Sequence, residues 1–531
     1  MDRLAGYLAK LPYWSALTLG LVAALGYPPL HLWPLAIAGM AAFTWLLWQR
    51  PSAKSAFLAG WLFGVAHFTL TNNWIATAFT FQAQMPSILG WAAVPLLSLY
   101  LAVWPGLASL GAWLFARKGG PVAASLAFGA LWTAAEWLRS WVFTGYAWGP
   151  FSLSLLGDWS RPGWGGILPY FGTYALSGLA VAVCGLLAWM VSAGRRTAVG
   201  VTGALLIGGM LWPASQPREG TLPLTLVQPN LKQEEIHDPS KYEEQFQQIA
   251  RLSKKQRDVE RRLVLWPESG VPDYLRDGYP QRYYDQTTAA GEPAFARFRI
   301  GQAISDGGLL LTGATDLEMG EVDGYRRAVG AYNTVTAIEA NGTLGPRYAK
   351  AHLVPYGEYL PMRELLEPLG LSRLVAGSID FLPGPGPQTF DFKEYGKAGM
   401  QICYEIVFSG EVTDPDNRPD YIFNPSNDGW FGLWGPPQHL GQARMRAIEE
   451  GLPVLRSTTT GISAVIDARG VVRNHIGKNQ ADRIDTLVPP PAAPTWFARS
   501  GHWLTLLWGI ALIVASLVAM RVQDRYVSQD T

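Results

Sequence analysis

The chain has 531 residues, 49% of them hydrophobic, with 23 tryptophans and a formal net charge of +1. This length is sufficient for more than one domain. The near-neutral charge excludes the strongly basic composition that nucleic-acid-binding domains use to neutralise phosphates. Charged residues are unevenly distributed, since the first 215 residues hold 13 of them and the remaining 316 hold 70. The first part is therefore typical of a membrane domain and most of the rest of a soluble one.

Eight apolar segments are candidates for membrane-spanning helices, which need roughly 20 mainly apolar residues. They lie at residues 11–27, 32–48, 56–81, 87–115, 122–143, 165–193, 197–214 and 502–520. These segments predict an α-helical transmembrane bundle of eight helices. The predicted domains are a seven-helix part at 1–215, a soluble block at 216–500, and an eighth helix with a tail at 501–531.

Positive charges predict the orientation of these helices, because Lys and Arg concentrate in cytoplasmic loops. They flank alternate ends of the segments at Arg3, Lys10, Arg50, Lys54, Arg117, Lys118, Arg195, Arg196, Arg521 and Arg525. Both termini are therefore predicted to be cytoplasmic and the soluble block to lie on the outer side, which in a bacterium is the periplasm or the exterior. We expect the first segment to be retained rather than cleaved as a signal peptide, since this topology requires it.

The soluble block alternates strand-like and helix-like runs. Strands are predicted within 221–230, 262–270, 307–316, 331–340, 421–430, 452–461 and 463–470, and helices within 240–258 and 438–450. Several of the strands are apolar on both faces, which indicates sheets that are covered on both sides. The pattern is that of an α/β domain.

Cys403 is the candidate nucleophile of this block. It follows a short apolar run, and the other cysteine, Cys184, lies inside a membrane-type segment. A free cysteine is commonly just a small buried hydrophobe, but one without a disulfide partner is less expected in an oxidising compartment. Two charged residues, Glu268 and Lys350, precede Cys403 in the sequence. Neither alone indicates a function, but together with a thiol they indicate a catalytic site.

Glu, Lys and Cys together can perform acyl transfer. A shielded carboxylate can take the proton of a Cys nucleophile. An ammonium and a backbone N–H can stabilise the oxyanion that forms when the thiol attacks an acyl carbon. The chain has seven histidines, and none has the spacing of a metal site. We therefore expect neither a metal nor a cofactor.

Several phrases resemble one known family: LWPESG, K-x-HLVPYGEYLP, ICYE, NPSNDGWFG and PPQHLGQARMRAIEEGLPVLRSTTTG. Together with the eight-helix frame they resemble the apolipoprotein N-acyltransferases of Gram-negative bacteria, which belong to the nitrilase superfamily. The resemblance covers nearly the whole chain. It implies an α-β-β-α sandwich for the soluble block and a catalytic triad of Glu268, Lys350 and Cys403.

The same resemblance implies supporting roles for Glu358, which would fix the lysine, and for Tyr404 and Glu405. Two places depart from the family pattern. His237 stands where the family can carry a tryptophan that matters for activity, so a substrate role there is in doubt, and TTTG at 458–461 replaces a TNNG-like turn.

The implied reaction moves an acyl chain from a membrane phospholipid to Cys403 as a thioester, and then to the α-amine of the diacylglyceryl-cysteine of an apolipoprotein. The implied location is the bacterial inner membrane, with the catalytic domain in the periplasm. The implied partners are the phospholipid, the apolipoprotein and the bilayer, with no nucleic acid. We expect a monomer, because one chain contains everything that the chemistry needs.

Both substrates carry acyl chains, so the site must open towards the membrane. Five residues are candidates for the entrance: Trp148, Leu365, Leu366, Trp430 and Trp434. The stretch 361–381 has leucines at helical intervals and is either an arm that dips into the interface or an amphipathic helix packed on the domain. Trp148 is alternatively an interfacial anchor. The intramembrane charges Glu136 and Arg139 are either functional or a structural clamp.

Two other readings stay open at this point. A membrane-tethered amidase of the nitrilase type would use water in place of the amine, although a soluble substrate needs no eight-helix frame. A membrane scaffold with an inert nitrilase module would be supported by loss of a triad residue, and all three residues are present.

Overall fold

The computed structural model describes residues 10–81, 87–214, 216–256, 258–369 and 379–529. Its N-terminal part is helical. The helices are α1 (Pro12–Ala24), α2 (Trp33–Trp48), α3 (Ala53–Thr71), α4 (Ile75–Ala78), α5 (Ile88–Leu101), α6 (Val103–Trp141), α7 (Leu168–Ser192) and α8 (Arg196–Leu211). Proline stands in the first turn of α1, α2 and α7, where its missing N–H leaves no helical hydrogen bond unmade.

Three helices of the described chain are long and apolar enough to cross a membrane: Ile88–Trp141, Trp164–Ser192 and His502–Gln523. The first covers two predicted segments, 87–115 and 122–143. It changes direction at Gly120, whose φ of 68° is not helical and which precedes Pro121. Trp33–Trp48 and Arg196–Met210 are shorter apolar helices. The chain is therefore a membrane protein with several apolar helices, and a bundle of eight spanning helices stays a prediction.

The C-terminal part contains two mixed six-stranded sheets. The strands are β1 (Pro223–Gln228), β2 (Arg262–Leu265), β3 (Gly308–Val322), β4 (Tyr325–Glu339), β5 (Leu344–Ala349), β6 (Thr389–Asp391), β7 (Lys397–Met400), β8 (Tyr421–Ser426), β9 (Val454–Thr458), β10 (Ser463–Ile466), β11 (Val472–Ile476) and β12 (Asp482–Leu487). Their order is β12-β1-β2-β3-β4-β5 in one sheet and β11-β10-β9-β8-β7-β6 in the other. Strands β1, β2 and β3 are parallel, as are β7, β8 and β9.

The sheets pack face to face over one apolar core, and helices cover their outer faces. The remaining helices are α9 (Tyr242–Ser253), α10 (Gln281–Thr287), α11 (Pro293–Ile304), α12 (Arg363–Leu366), α13 (Gly435–Glu450), α14 (Trp496–Ser500) and α15 (His502–Gln529). In β1 the alternation typical of a strand sends Leu224 and Leu226 into the core between the sheets and Val227 towards α9 and α11. The α/β class predicted for this block is confirmed.

Every predicted strand run contains a strand, and both predicted helical runs contain a helix. The sequence reading missed β5, β6, β11 and β12, and the helices α10 and α11. These strands are short and partly exposed, so they lack the continuous apolar run that marked the central strands.

Helix α13 joins the α/β part to the membrane part. The buried guanidinium of Arg444 donates hydrogen bonds to the carbonyls of Gly157 and Arg161 on one side and Gly470 on the other. The Gln438 amide donates to the carbonyl oxygens of residues 28 and 71. Side chains of α13 therefore contribute to holding the α/β part against the membrane helices.

We expect the core between the sheets to dominate the stability of the α/β part. Val454 is fully buried in this core, whereas Val329 is 51% exposed on the β3–β4 hairpin. Val454→Ala should lower the free energy of unfolding by about 2 kcal/mol, because it removes two buried methyl groups and leaves a cavity. Thermal unfolding in detergent measures the change, with Val329→Ala as the control for the same chemical substitution. Equal melting temperatures for the two variants would contradict this view of the core.

Candidate active site

Glu268, Lys350 and Cys403 each follow the end of a strand, namely β2, β5 and β7. All three are buried, with exposed fractions of 7%, 1% and 5%. The first two come from one sheet and the cysteine comes from the other. Closure of the sandwich therefore brings a carboxylate, an ammonium and a thiol into one water-poor site.

The Glu268 carboxylate is held at both oxygens. Oε1 accepts a hydrogen bond of 2.7 Å from the Asn333 side-chain amide and lies 3.8 Å from Lys350 Nζ. Oε2 accepts a hydrogen bond of 2.8 Å from the backbone N–H of Asn427, which follows β8 in the other sheet. A general base must lie within hydrogen-bond reach of the proton that it removes, and this fixed orientation suits that role.

The Lys350 ammonium lies between two carboxylates. Nζ donates to Glu358 Oε1 at 3.0 Å, and the Asn333 amide donates to the same oxygen at 3.1 Å. Burial alone would lower the pKa of Lys350, but Glu358 and Glu268 reverse this and raise the pKa above its usual value. The lysine is therefore a permanent cation, which is what an oxyanion-stabilising group requires.

Cys403 occupies an unusual backbone conformation, with φ at +51°. Such a conformation at a non-glycine residue costs about 1–3 kcal/mol and is found most often at functional sites. Its Sγ accepts a hydrogen bond from Ser426 Oγ at 3.3 Å. Burial raises the pKa of the Cys403 thiol, Glu268 adds to the rise, and Lys350 opposes it. The resting group is a neutral thiol, so attack on a substrate needs a base.

Glu405 ties the cysteine turn to the residues that follow Lys350. Its carboxylate accepts four hydrogen bonds, from the Tyr348 hydroxyl and from the backbone N–H groups of Ala351, His352 and Ile402. Burial raises the pKa of Glu405 to about 7. Because the carboxylate bridges the two segments, it fixes the distance between the turn of Cys403 and the end of β5.

Tyr404 links this site to the membrane part. Its ring lies parallel to that of Trp148, with 6.5 Å between the centroids. Trp148 is buried, and its Nε1 donates to Gln438 at 2.8 Å. Glu136 accepts from the Phe151 N–H, and Arg139 donates to the Trp148 carbonyl. These intramembrane charges therefore hold the loop that carries Trp148.

The other entrance candidates lie in different surroundings. Trp430 packs edge-on against Phe81 at 5.7 Å, and Trp434 is partly buried against the core. Leu365, on the single turn of α12, is 62% exposed. The Leu366 side chain and residues 370–378 lie outside the described residues, so the predicted arm at 361–381 is described only at its two ends.

Sequence reasoning missed several polar residues of this site: Asn333, Ser426, Asp428, His439 and Arg456. The phrases NPSND and PPQHL could have indicated Ser426, Asp428 and His439. Polar side chains in a buried strand or on an apolar helix face usually form hydrogen bonds, so their presence there indicates a role. His237 is exposed in a turn after β1. This turn is separate in sequence from the segments that carry Glu268, Lys350 and Cys403.

Comparisons with known proteins cover both parts of the chain. Residues 19–186 match the family model of the apolipoprotein N-acyltransferase N-terminal domain, and residues 224–488 match that of carbon-nitrogen hydrolases. A solved structure of Saccharomyces cerevisiae Nit3, of the nitrilase superfamily, is 21% identical and aligns with 52% of this chain and 93% of its own at a TM-score of 0.36. That score is too low to support a conclusion, so family membership rests on the sequence matches.

Full-length relatives are similar from end to end. The apolipoprotein N-acyltransferase of Rhodopseudomonas palustris is 32% identical over 95% of this chain and 94% of its own. That of Caulobacter vibrioides is 33% identical over 96% of this chain and 95% of its own. With this coverage at this identity, the chain belongs to the apolipoprotein N-acyltransferase family of the nitrilase superfamily.

Proposed function

We propose that the chain transfers an acyl group from a membrane phospholipid, through a thioester on Cys403, to the α-amine of the diacylglyceryl-cysteine at the start of an apolipoprotein. The full-length relatives support apolipoprotein N-acyltransferase activity. The observation that carries the chemical route is the buried Lys350 ammonium, held at 3.0 Å and 3.8 Å from two carboxylates in the site that also contains the Cys403 thiol.

In the first half of the reaction, Cys403 Sγ attacks the ester carbonyl of the phospholipid while Glu268 takes the thiol proton. The tetrahedral intermediate places its negative charge on the former carbonyl oxygen, where Lys350 Nζ and the Tyr404 N–H stabilise it. The carbon–oxygen ester bond then breaks. Glu268 returns the proton to the departing oxygen, so the lysophospholipid leaves with a free hydroxyl group and the acyl group stays on sulphur.

In the second half, the α-amine of the apolipoprotein attacks the thioester carbonyl and Glu268 accepts the amine proton. The same two donors hold the second oxyanion. The carbon–sulphur bond breaks, the amide forms, and Glu268 returns the proton to sulphur. A thioester suits this exchange because a thiolate is a much better leaving group than an alkoxide, so the acyl carbon remains reactive towards an amine.

Three further parts of the proposal concern the membrane. The eight apolar segments form eight spanning helices in the bacterial inner membrane, with both termini cytoplasmic and the α/β part periplasmic. The alternating Lys and Arg flanks support this orientation. Leu365, itself an entrance candidate, and Leu433, which lies between Trp430 and Trp434 in the sequence, are 62% and 76% exposed and contact the lipid interface. A single chain supplies the complete triad, which supports a monomer.

The thioester gives the most direct test. Incubation with a phospholipid labelled in its acyl chain should give a labelled protein from which hydroxylamine releases the label. Cys403→Ala should give no adduct, whereas Cys184→Ala should behave as wild type. Addition of a diacylated lipopeptide should move the label to its amine. An adduct that only water discharges would indicate a hydrolase, and a wild type without any adduct would contradict the function.

Glu268→Gln tests the general base. This variant keeps the shape of the side chain but cannot take the thiol proton, so acyl-enzyme formation should fall roughly 10²- to 10⁴-fold. Single-turnover rates at saturating phospholipid measure the change. Glu321→Gln, at an exposed position on the β3–β4 hairpin, is the matched control. Equal rates in the two variants would exclude Glu268 as the base.

Leu365→Asp and Leu433→Asp test the contact with the lipid interface. A charge there should raise the KM for a bilayer phospholipid roughly tenfold, because it opposes insertion of the apolar segment. The rate with a soluble short-chain ester should not change, because the triad is untouched. Tyr325→Asp, at an exposed position on the β3–β4 hairpin, controls for an added surface charge. An unchanged KM in vesicles for both leucine variants would refute the contact.

A further inference from the structure

The peptide unit between Cys403 and Tyr404 has two polar groups, an N–H and a carbonyl, that contact different partners. Its N–H, on Tyr404, is the proposed backbone donor to the oxyanion, and its carbonyl oxygen belongs to Cys403. In a planar trans peptide the C=O and N–H bonds point in opposite directions. Any group that fixes the carbonyl therefore also aims the N–H.

A histidine holds this carbonyl. His439, fully buried on α13, places Nε2 at 3.0 Å from the Cys403 oxygen. A carbonyl oxygen can only accept, so the proton of the imidazole is on Nε2. Burial and Arg456 lower the pKa of His439, and Asp428, whose Oδ1 lies 3.1 Å from Nδ1, opposes them without reversing the shift. With the proton on Nε2, the neutral ring leaves Nδ1 as an acceptor, so the contact of Nδ1 with the carboxylate oxygen is not a hydrogen bond. Arg456 Nη2, at 2.9 Å, is the donor that Nδ1 needs.

Arg456 organises the whole contact. The second N–H of its Nη2 is shared by the two oxygens of Asp428, each 2.8 Å away, and its Nη1 donates to the Asn424 side-chain oxygen. The Asn424 amide in turn lies 3.5 Å from the Cys403 oxygen. Both groups that face this carbonyl, an imidazole and an amide, are thus oriented by one buried guanidinium. A buried Arg–Asp pair seldom stabilises a fold more than apolar residues would. The position of this pair beside the Cys403 turn therefore indicates a role other than stability.

We propose that His439 is a positioning residue that aims the Tyr404 N–H at the oxyanion, with Arg456 fixing its tautomer. The inference rests on the proposed acyl transfer through Cys403. The strained φ of +51° at Cys403 needs such a restraint. Across the described residues, the Tyr404 N–H has no acceptor outside its own turn, so it is available to the substrate oxygen.

A simpler role for His439 is packing, since its ring contacts those of Trp148 and Phe431 at 5.1 Å and 5.5 Å. Two variants separate the roles. His439→Phe keeps a ring and loses the N–H. His439→Gln loses the ring and keeps an amide N–H that can take the place of Nε2. Positioning predicts that the Gln variant is the more active one, and packing predicts the reverse.

Two reactions of Cys403 are compared in the full-length protein. Acyl-enzyme formation from labelled phospholipid passes through an oxyanion, whereas alkylation by iodoacetamide is a direct displacement that forms none. His439→Phe should slow acylation roughly 100-fold and leave alkylation close to the wild-type rate. His439→Gln should recover most of the acylation rate. His439→Leu, which also lacks the N–H, replaces the Phe variant if thermal unfolding shows that Phe does not fit.

Four outcomes overturn the inference: acylation by His439→Phe at the wild-type rate, a parallel loss of acylation and alkylation, a Gln variant no faster than the Phe variant, or a wild type that forms no acyl adduct. Only the last also contradicts the proposed function. A wild type that forms the adduct beside an unaffected His439→Phe variant contradicts this inference alone.

Discussion

The site depends on one buried cation. An ammonium without partners in an apolar interior is strongly unfavourable, and Lys350 is tolerated because Glu268 and Glu358 lie beside it. The three groups leave an excess negative charge, which neutral donors must meet. Those donors are the Asn333 amide and the backbone N–H groups of Val354 and Asn427. The demand for charge compensation therefore fixes several separate segments around a single ammonium.

This constraint makes the catalytic geometry a property of the closed sandwich. Glu268 and Lys350 follow strands of one sheet, and Cys403 follows a strand of the other. Several hydrogen bonds cross between the sheets at the site, among them those from the Asn427 N–H to Glu268 and from the Tyr348 hydroxyl to Glu405. A shift of one sheet against the other would break the cross-sheet bonds and separate the Glu268 carboxylate from the Cys403 thiol. The apolar core between the sheets thus has a catalytic consequence as well as a stabilising one.

The sequence predicted the parts of the fold that have local signals. Apolar runs marked the central strands, and helix α13 was predicted from residue 438 and begins at Gly435. The edge strands β11 and β12 span only five or six positions and contain two apolar residues each, so they carry neither an apolar run nor a periodic signal. The motifs named Glu268, Lys350 and Cys403, but Asn333 and Arg456 act through contacts with residues far away in the chain. No local pattern indicates such contacts, because only the tertiary fold creates them.

Two consecutive residues of helix α13 contact the membrane part and the candidate active site. Gln438 donates to backbone carbonyls of the membrane part and accepts from Trp148. His439 contacts the carbonyl of Cys403. Because successive side chains on an α-helix point about 100° apart, one residue faces the membrane helices and the next faces the nucleophile. The stacked rings of Trp148 and Tyr404 form a second contact between the membrane part and the Cys403 turn. A rigid helix that holds both contacts therefore fixes the position of the Cys403 turn relative to the membrane part.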